Sequence, residues 1–90
     1  MRKEMRQEIE LQLYKFKRDG CSPWADLISR EMENMEAQRR ELLQLRYIEK
    51  KPEKEICSLL HIERSTYYSW LNNIIQEIAI AAAYERLINP

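Results

Sequence analysis

Ninety residues with one glycine, three prolines and 33% charged side chains describe a single small helical domain, able to bury roughly 60 to 65% of its unfolded surface. Fifteen Lys and Arg against fifteen Asp and Glu leave a formal net charge of zero, which excludes a protein that coats nucleic acid indiscriminately. No apolar span of about 18 residues and no signal peptide occur, and the two cysteines, Cys21 and Cys57, stand alone, so a cytoplasmic protein with reduced thiols is expected.

The charge is unevenly spread. Residues 1–18 carry six basic against three acidic side chains, 19–36 one against five, 37–55 six against four, and 56–90 two against three. Two basic blocks therefore flank an acidic one, a balance that suits a sequence-specific binder with few phosphate contacts. His61 is the sole histidine and has no Cys or acidic cluster at ligand spacing, so neither a metal nor a cofactor is expected.

In chain order, the periodicity predicts a first helix over 3–18 with Met5, Ile9, Leu13 and Phe16 on one stripe. It should end at Asp19-Gly20, where glycine can take the left-handed cap. Ser22 as cap and Pro23 in the first turn open a second helix over 23–35, with Trp24, Leu27, Ile28, Met32 and Met35 as its apolar side. The stripe thins between Glu33 and Gln38, so the helix either breaks near Asn34 or runs on as one rod; the break is favoured. A third helix over 37–49 presents Leu42, Leu43, Leu45 and Ile48, and Lys50, Lys51 and Pro52 end it. No run of alternating β-branched residues predicts a strand.

Residues 53–60 and 64–85 read as two helices joined by a tight turn, the shape of a DNA-reading helix-turn-helix. Ile56, Leu59 and Leu60 are spaced as a core face in the first, and Tyr67, Trp70, Leu71, Ile74, Ile75 and Ile78 in the second. Ile62 should plug the angle between them. The spacing favours Tyr67 and Trp70 as interior residues over a stacking platform for single strands. Left outward are Arg64, Ser65, Tyr68, Ser69 and Asn72, a polar, lightly charged face suited to base edges in a major groove. Tyr68 reads as a base or phosphate contact or as a chance surface aromatic, and Arg64 as a DNA contact or as one half of an ion pair. Arg39, Arg46, Lys50, Lys51 and Lys54 can each be solvated surface charges; clustered ahead of the reading helix, they are candidates for phosphate contacts.

The strings LRYIE, EIxxLLxI and STYYxW, within residues 39–79, resemble the helix-turn-helix of sigma-factor region 4. They are closer still to the RinA/ArpU-type late transcription regulators of phages of Gram-positive bacteria. The resemblance implies a sequence-specific regulator of transcription, phage or prophage encoded, that binds double-stranded DNA and has RNA polymerase as a candidate partner. The same helix-turn-helix occurs in some phage terminase small subunits, so a DNA-recognition subunit of a packaging machine stays open, as does a helical interaction module without DNA activity. Two residues depart from the family pattern. Glu63 stands where Ser or Thr usually caps the reading helix, and His61 where glycine often makes the turn, so a weaker cap and a turn that avoids positive φ are expected.

The expected architecture is all-α: a small helical bundle with an N-terminal segment (1–36), a helix-turn-helix region (37–90) and a long last helix, in one domain. Cys57 reads as a packing residue and Cys21 as an incidental loop thiol. In the tail, Ile74, Ile75, Ile78 and Ala82 should pack home, whereas Ile80, Ala83, Tyr84, Leu87 and Ile88 should project elsewhere. Apolar residues on two sides of one surface helix point to a homodimer interface, with packing on the first helix of the same chain as the alternative. Gln76, Glu77, Glu85 and Arg86 speak against a membrane role. No glycine-rich phosphate loop or nucleophile–base pair is present in the sequence, so no enzymatic activity is expected.

Overall fold

The computed structural model describes residues 2–17 and 20–88. Five α-helices and one π-helical turn make up the regular structure, and there is no strand among the described residues: α1 Lys3–Lys15, α2 Pro23–Asn34, α3 Ala37–Leu43, α4 Glu53–Leu60 and α5 Arg64–Tyr84. The all-α expectation holds, and α5 is the element on which α1, α2, α3 and α4 all converge. Its stripe of Tyr67, Leu71, Ile74, Ile75, Ile78, Ala79 and Ala82 is buried throughout. Ile9 and Leu13 of α1, Leu27, Ile28 and Met32 of α2, and Leu42 and Leu43 of α3 join it in one continuous core.

Local chemistry explains most boundaries. The Ser22 Oγ accepts the Ala25 N–H at 3.0 Å and Pro23 begins α2, as the sequence predicts. Met35 and Glu36 are both extended, so α2 and α3 are separate helices rather than one rod. The end of α1 comes earlier than expected. Phe16 turns extended (φ −61, ψ 133) while its ring stays in the core, and the Gly20 N–H closes a turn onto the Lys17 carbonyl at 2.9 Å. Gly20 does not adopt positive φ. What glycine supplies here is room, because a Cβ would stand 3.0 Å from the Lys17 carbonyl oxygen. Arg18 and Asp19, where the helix end was expected, lie outside the described residues.

α3 widens into a π-helical turn, Gln44–Ile48, closed by the Glu49 N–H on the Gln44 carbonyl at 2.9 Å and by the Lys51 N–H on Leu45 at 2.9 Å, with Lys50 left-handed at φ 57. This segment is sandwiched between α1 and the helix-turn-helix. Tyr47 is consequently buried against the edge of the Tyr14 ring, at 4.8 Å between centroids, while Leu45 is buried as well.

Two expectations for the helix-turn-helix are corrected. The turn does use positive φ: His61 sits at φ 54, ψ 45, with its N–H on Ser58 and the Ile62 N–H on Cys57 at 3.1 Å. Those two bonds satisfy carbonyls orphaned at the end of α4, which offsets the left-handed strain that glycine would have avoided. Leu59 is not core but 51% exposed. α4 is covered along one side, which takes Ile56 and, one turn on, the half-buried Leu60; Leu59 lies to the side of that stripe. Glu63 makes no side-chain cap bond, as its departure from Ser or Thr predicts. Among the described residues no helix is long and apolar enough to cross a membrane.

Candidate nucleic-acid interface

The first turns of α5 leave the core with one side free. Arg64, Ser65, Tyr68, Ser69 and Asn72 are all exposed, and their spacing of one, three, one and three residues lines them up along a single helix face. Two of them are organised by a residue that sequence reasoning did not single out. Glu53, in the first turn of α4, accepts a hydrogen bond from the Tyr68 hydroxyl on Oε2 at 3.2 Å, and its Oε1 lies 3.0 Å from Arg64 Nε. The Arg64 contact is a Coulombic pair, since Oε1 is shielded from solvent yet lacks a hydrogen-bond donor in good geometry. The Arg64 guanidinium also lies over the Tyr68 ring, 5.6 Å from its centroid. Beside it, Glu53, Lys54, Cys57 and Arg64 line an open hollow of about 360 Å³. The Cys57 thiol there is half-buried, and burial first, then the Glu53 charge, push its pKa up, so it is a poor nucleophile.

The core side of the same helix is tied to the rest of the bundle through Arg46. Its Nη1 donates to the Tyr67 hydroxyl at 2.6 Å, its Nη2 lies 3.9 Å from Glu10 of α1, and its guanidinium stands between the Tyr47 and Tyr67 rings, at 5.3 and 5.9 Å. Burial raises the Tyr67 phenol pKa, and Arg46 pulls it back. Tyr67 in turn meets Tyr68 edge to face at 5.1 Å, so the interior cluster abuts the reading face directly. Trp70 is half-buried against the core, in keeping with its expected role.

The other basic candidates are disposed around this face in different states. Lys50 and Lys54 are exposed, and neither is within ion-pair distance of a carboxylate among the described residues. Lys51 pairs weakly with Glu55 at 3.5 Å, and Arg39 pairs with Glu77 of α5 at 3.1 Å. Such partly exposed pairs cost little to open, so these cations stay within reach of a phosphate, whereas Arg46 is engaged inside the fold.

Farther along α5 the outward face changes character. Ile80 is 65% and Tyr84 90% exposed, while Ala83 is partly covered. Leu87 and Ile88, expected to project away, instead pack back against the core, because a left-handed turn at Arg86 ends the helix and redirects the chain. α2 braces this end through a bidentate contact of Arg30 Nη2 with both Glu85 oxygens, at 2.8 Å each.

A short helix, a three-residue turn and a longer helix with a free polar face define a DNA-binding helix-turn-helix. Comparison with known families narrows the class: the family Sigma-70, region 4 matches residues 25–79, more than half of the chain, and the chain belongs to that family. It is a DNA-binding, non-enzymatic kind of domain. No curated protein and no solved structure matches the chain at a significant level.

Proposed function

We propose that the protein is a sequence-specific regulator of transcription of the RinA/ArpU kind, encoded by a phage or prophage and acting on double-stranded DNA in the cytoplasm as a homodimer. The observation that carries this reading is the exposed face of Arg64, Ser65, Tyr68, Ser69 and Asn72 on the second helix of a region 4 helix-turn-helix. Each of these side chains can donate or accept a hydrogen bond at a base edge, and an arginine there suits the O6 and N7 of guanine. Arg39, Lys50, Lys51 and Lys54 supply sequence-blind attraction to phosphates, with Arg46 contributing charge from within the fold. Net charge is zero, so affinity falls away at moderate salt. Ile80 and Tyr84, with Ala83 and Leu87 at the margin, form the contact between subunits, and RNA polymerase is a further candidate partner.

Selection of bound duplex from a random library at low salt tests the DNA claim. A consensus site is expected, and a combined Arg64→Ala, Tyr68→Ala and Asn72→Ala replacement should abolish the preference for it. Failure to enrich any sequence, or selection unaffected by the triple replacement, overturns the reading in favour of an interaction module. Sedimentation supplies the second arm: a dimer supports a regulator, whereas a ring of many subunits supports a packaging component.

A further inference from the structure

We infer that Glu53 is a positioning residue for DNA reading, whose carboxylate aims Arg64 and Tyr68 at the bases and limits their attraction to phosphate. The inference rests on the proposed DNA-binding function and adds to it a specificity determinant outside the reading helix.

Three observations lead there. The first is convergence: one carboxylate on α4 holds two residues of the reading face on α5, Tyr68 through Oε2 and Arg64 through Oε1, although neither α5 residue packs into the core. The second is which nitrogen is engaged. Glu53 comes nearest to Arg64 at Nε rather than at the two terminal nitrogens, the pair whose fork matches O6 and N7 of guanine. An arginine side chain 78% exposed, with no such anchor, would sample many rotamers and lose them on binding. The Tyr68 ring under the guanidinium restricts it further. The third is electrostatic. A carboxylate with one oxygen shielded from water stands beside the Arg64 charge, so the attraction of this arginine to a phosphate is reduced by its negative neighbour. Guanine acceptors can still be engaged by the terminal nitrogens, whereas a carboxylate close to the phosphate backbone is repelled. Glu53 thereby raises the ratio of specific to non-specific affinity from both sides, and does so in a chain whose net charge is zero.

The test compares wild type, Glu53→Gln, Tyr68→Phe, Arg64→Ala and the Glu53→Gln/Arg64→Ala double variant. Fluorescence anisotropy is measured on the duplex that wild type selects and on a random duplex of equal length, with circular dichroism melts to confirm folding. Glu53→Gln is expected to lower the selected-to-random affinity ratio on the order of tenfold. Binding to random DNA should at the same time hold or tighten, because a negative charge has been removed. A merely structural role would weaken both duplexes together. In the Arg64→Ala background the same substitution should change the ratio little, since the group it positions is gone. An unchanged ratio in Glu53→Gln, or an equal loss with and without Arg64, overturns the inference. Should Glu53→Gln fail to fold, Tyr68→Phe decides, because it deletes only the hydroxyl that Glu53 holds: a lowered ratio supports the inference and an unchanged one overturns it. A wild-type protein that selects no site at all overturns the proposed function itself, a result seen before any variant is made.

Discussion

The two halves of α5 share one buried stripe and differ in everything that faces out. Over the first half the outward positions are Arg64, Ser65, Tyr68, Ser69 and Asn72, each able to exchange hydrogen bonds with a ligand. Past Ile75 the exposed positions include Gln76, but also Ile80 and Tyr84, the two most exposed large hydrophobic side chains described. The inner stripe is dictated by the fold and would be needed whatever the protein does. The outer residues lie outside the core, so their chemistry bears on function: the polar half suits DNA, and exposed Ile80 and Tyr84 suit the proposed second copy of the chain. Region 4 membership extends to residue 79, so the apolar outer half begins where the family match ends.

The shared stripe gives the largest expected effect. Leu71→Ala, in the first half, and Ile78→Ala, in the second, should each destabilise the protein by about 2 to 5 kcal/mol in urea titration, since both residues are buried to within 1%. That is a large part of the total stability of so small a domain. If one half tolerates truncation and the other does not, the single-core description fails.

The outer faces are separated by the next two substitutions. Ile80→Lys with Tyr84→Lys should abolish the proposed dimer at micromolar concentration in sedimentation while the melt stays within a few degrees, because neither side chain packs in the core. Arg64→Ala should leave the dimer intact and weaken binding to the selected duplex by roughly ten- to a hundred-fold, with little change on random DNA. A dimer that disappears in the Arg64 variant would show that the two faces are not independent.

Smaller effects sharpen the boundary of the DNA face. Lys50→Ala and Lys54→Ala should weaken selected and random duplex alike and flatten the log–log salt dependence by about one unit for each phosphate no longer neutralised. His61→Gly relieves a left-handed backbone at the cost of unfolded-state entropy, and is expected to stabilise by no more than about 1 kcal/mol in thermal melts while leaving DNA preference unchanged. Smallest is a difference in thiol reactivity. Exposed Cys21 should alkylate faster than Cys57 near neutral pH, and the gap should narrow as pH rises toward the raised pKa of Cys57, where its thiolate finally forms.

Much of this arrangement was readable from residue order, because the forces involved act within a turn or two of the chain. Helical period placed Ile9, Leu13, Leu27, Ile28, Leu71, Ile74 and Ile78 inside and Ser65, Tyr68 and Asn72 outside, and Ser22-Pro23 marked a helix start, since each depends only on neighbours three or four residues away. Where two elements had to meet, the sequence alone was silent. Tyr47 is interior because α1 covers the side of the π-helical turn that a one-stripe reading leaves to solvent, and Leu59 is exposed because nothing covers the second side of α4. His61 accepts a left-handed backbone because the chain has to reverse there within three residues, and two carbonyls gain partners when it does. Arg46 is drawn between Tyr47 and Tyr67, and Glu53 reaches across 11 positions of sequence to Arg64, because packing α4 and the π-helical turn against α5 brings charges and hydroxyls within 4 Å that no local spacing connects.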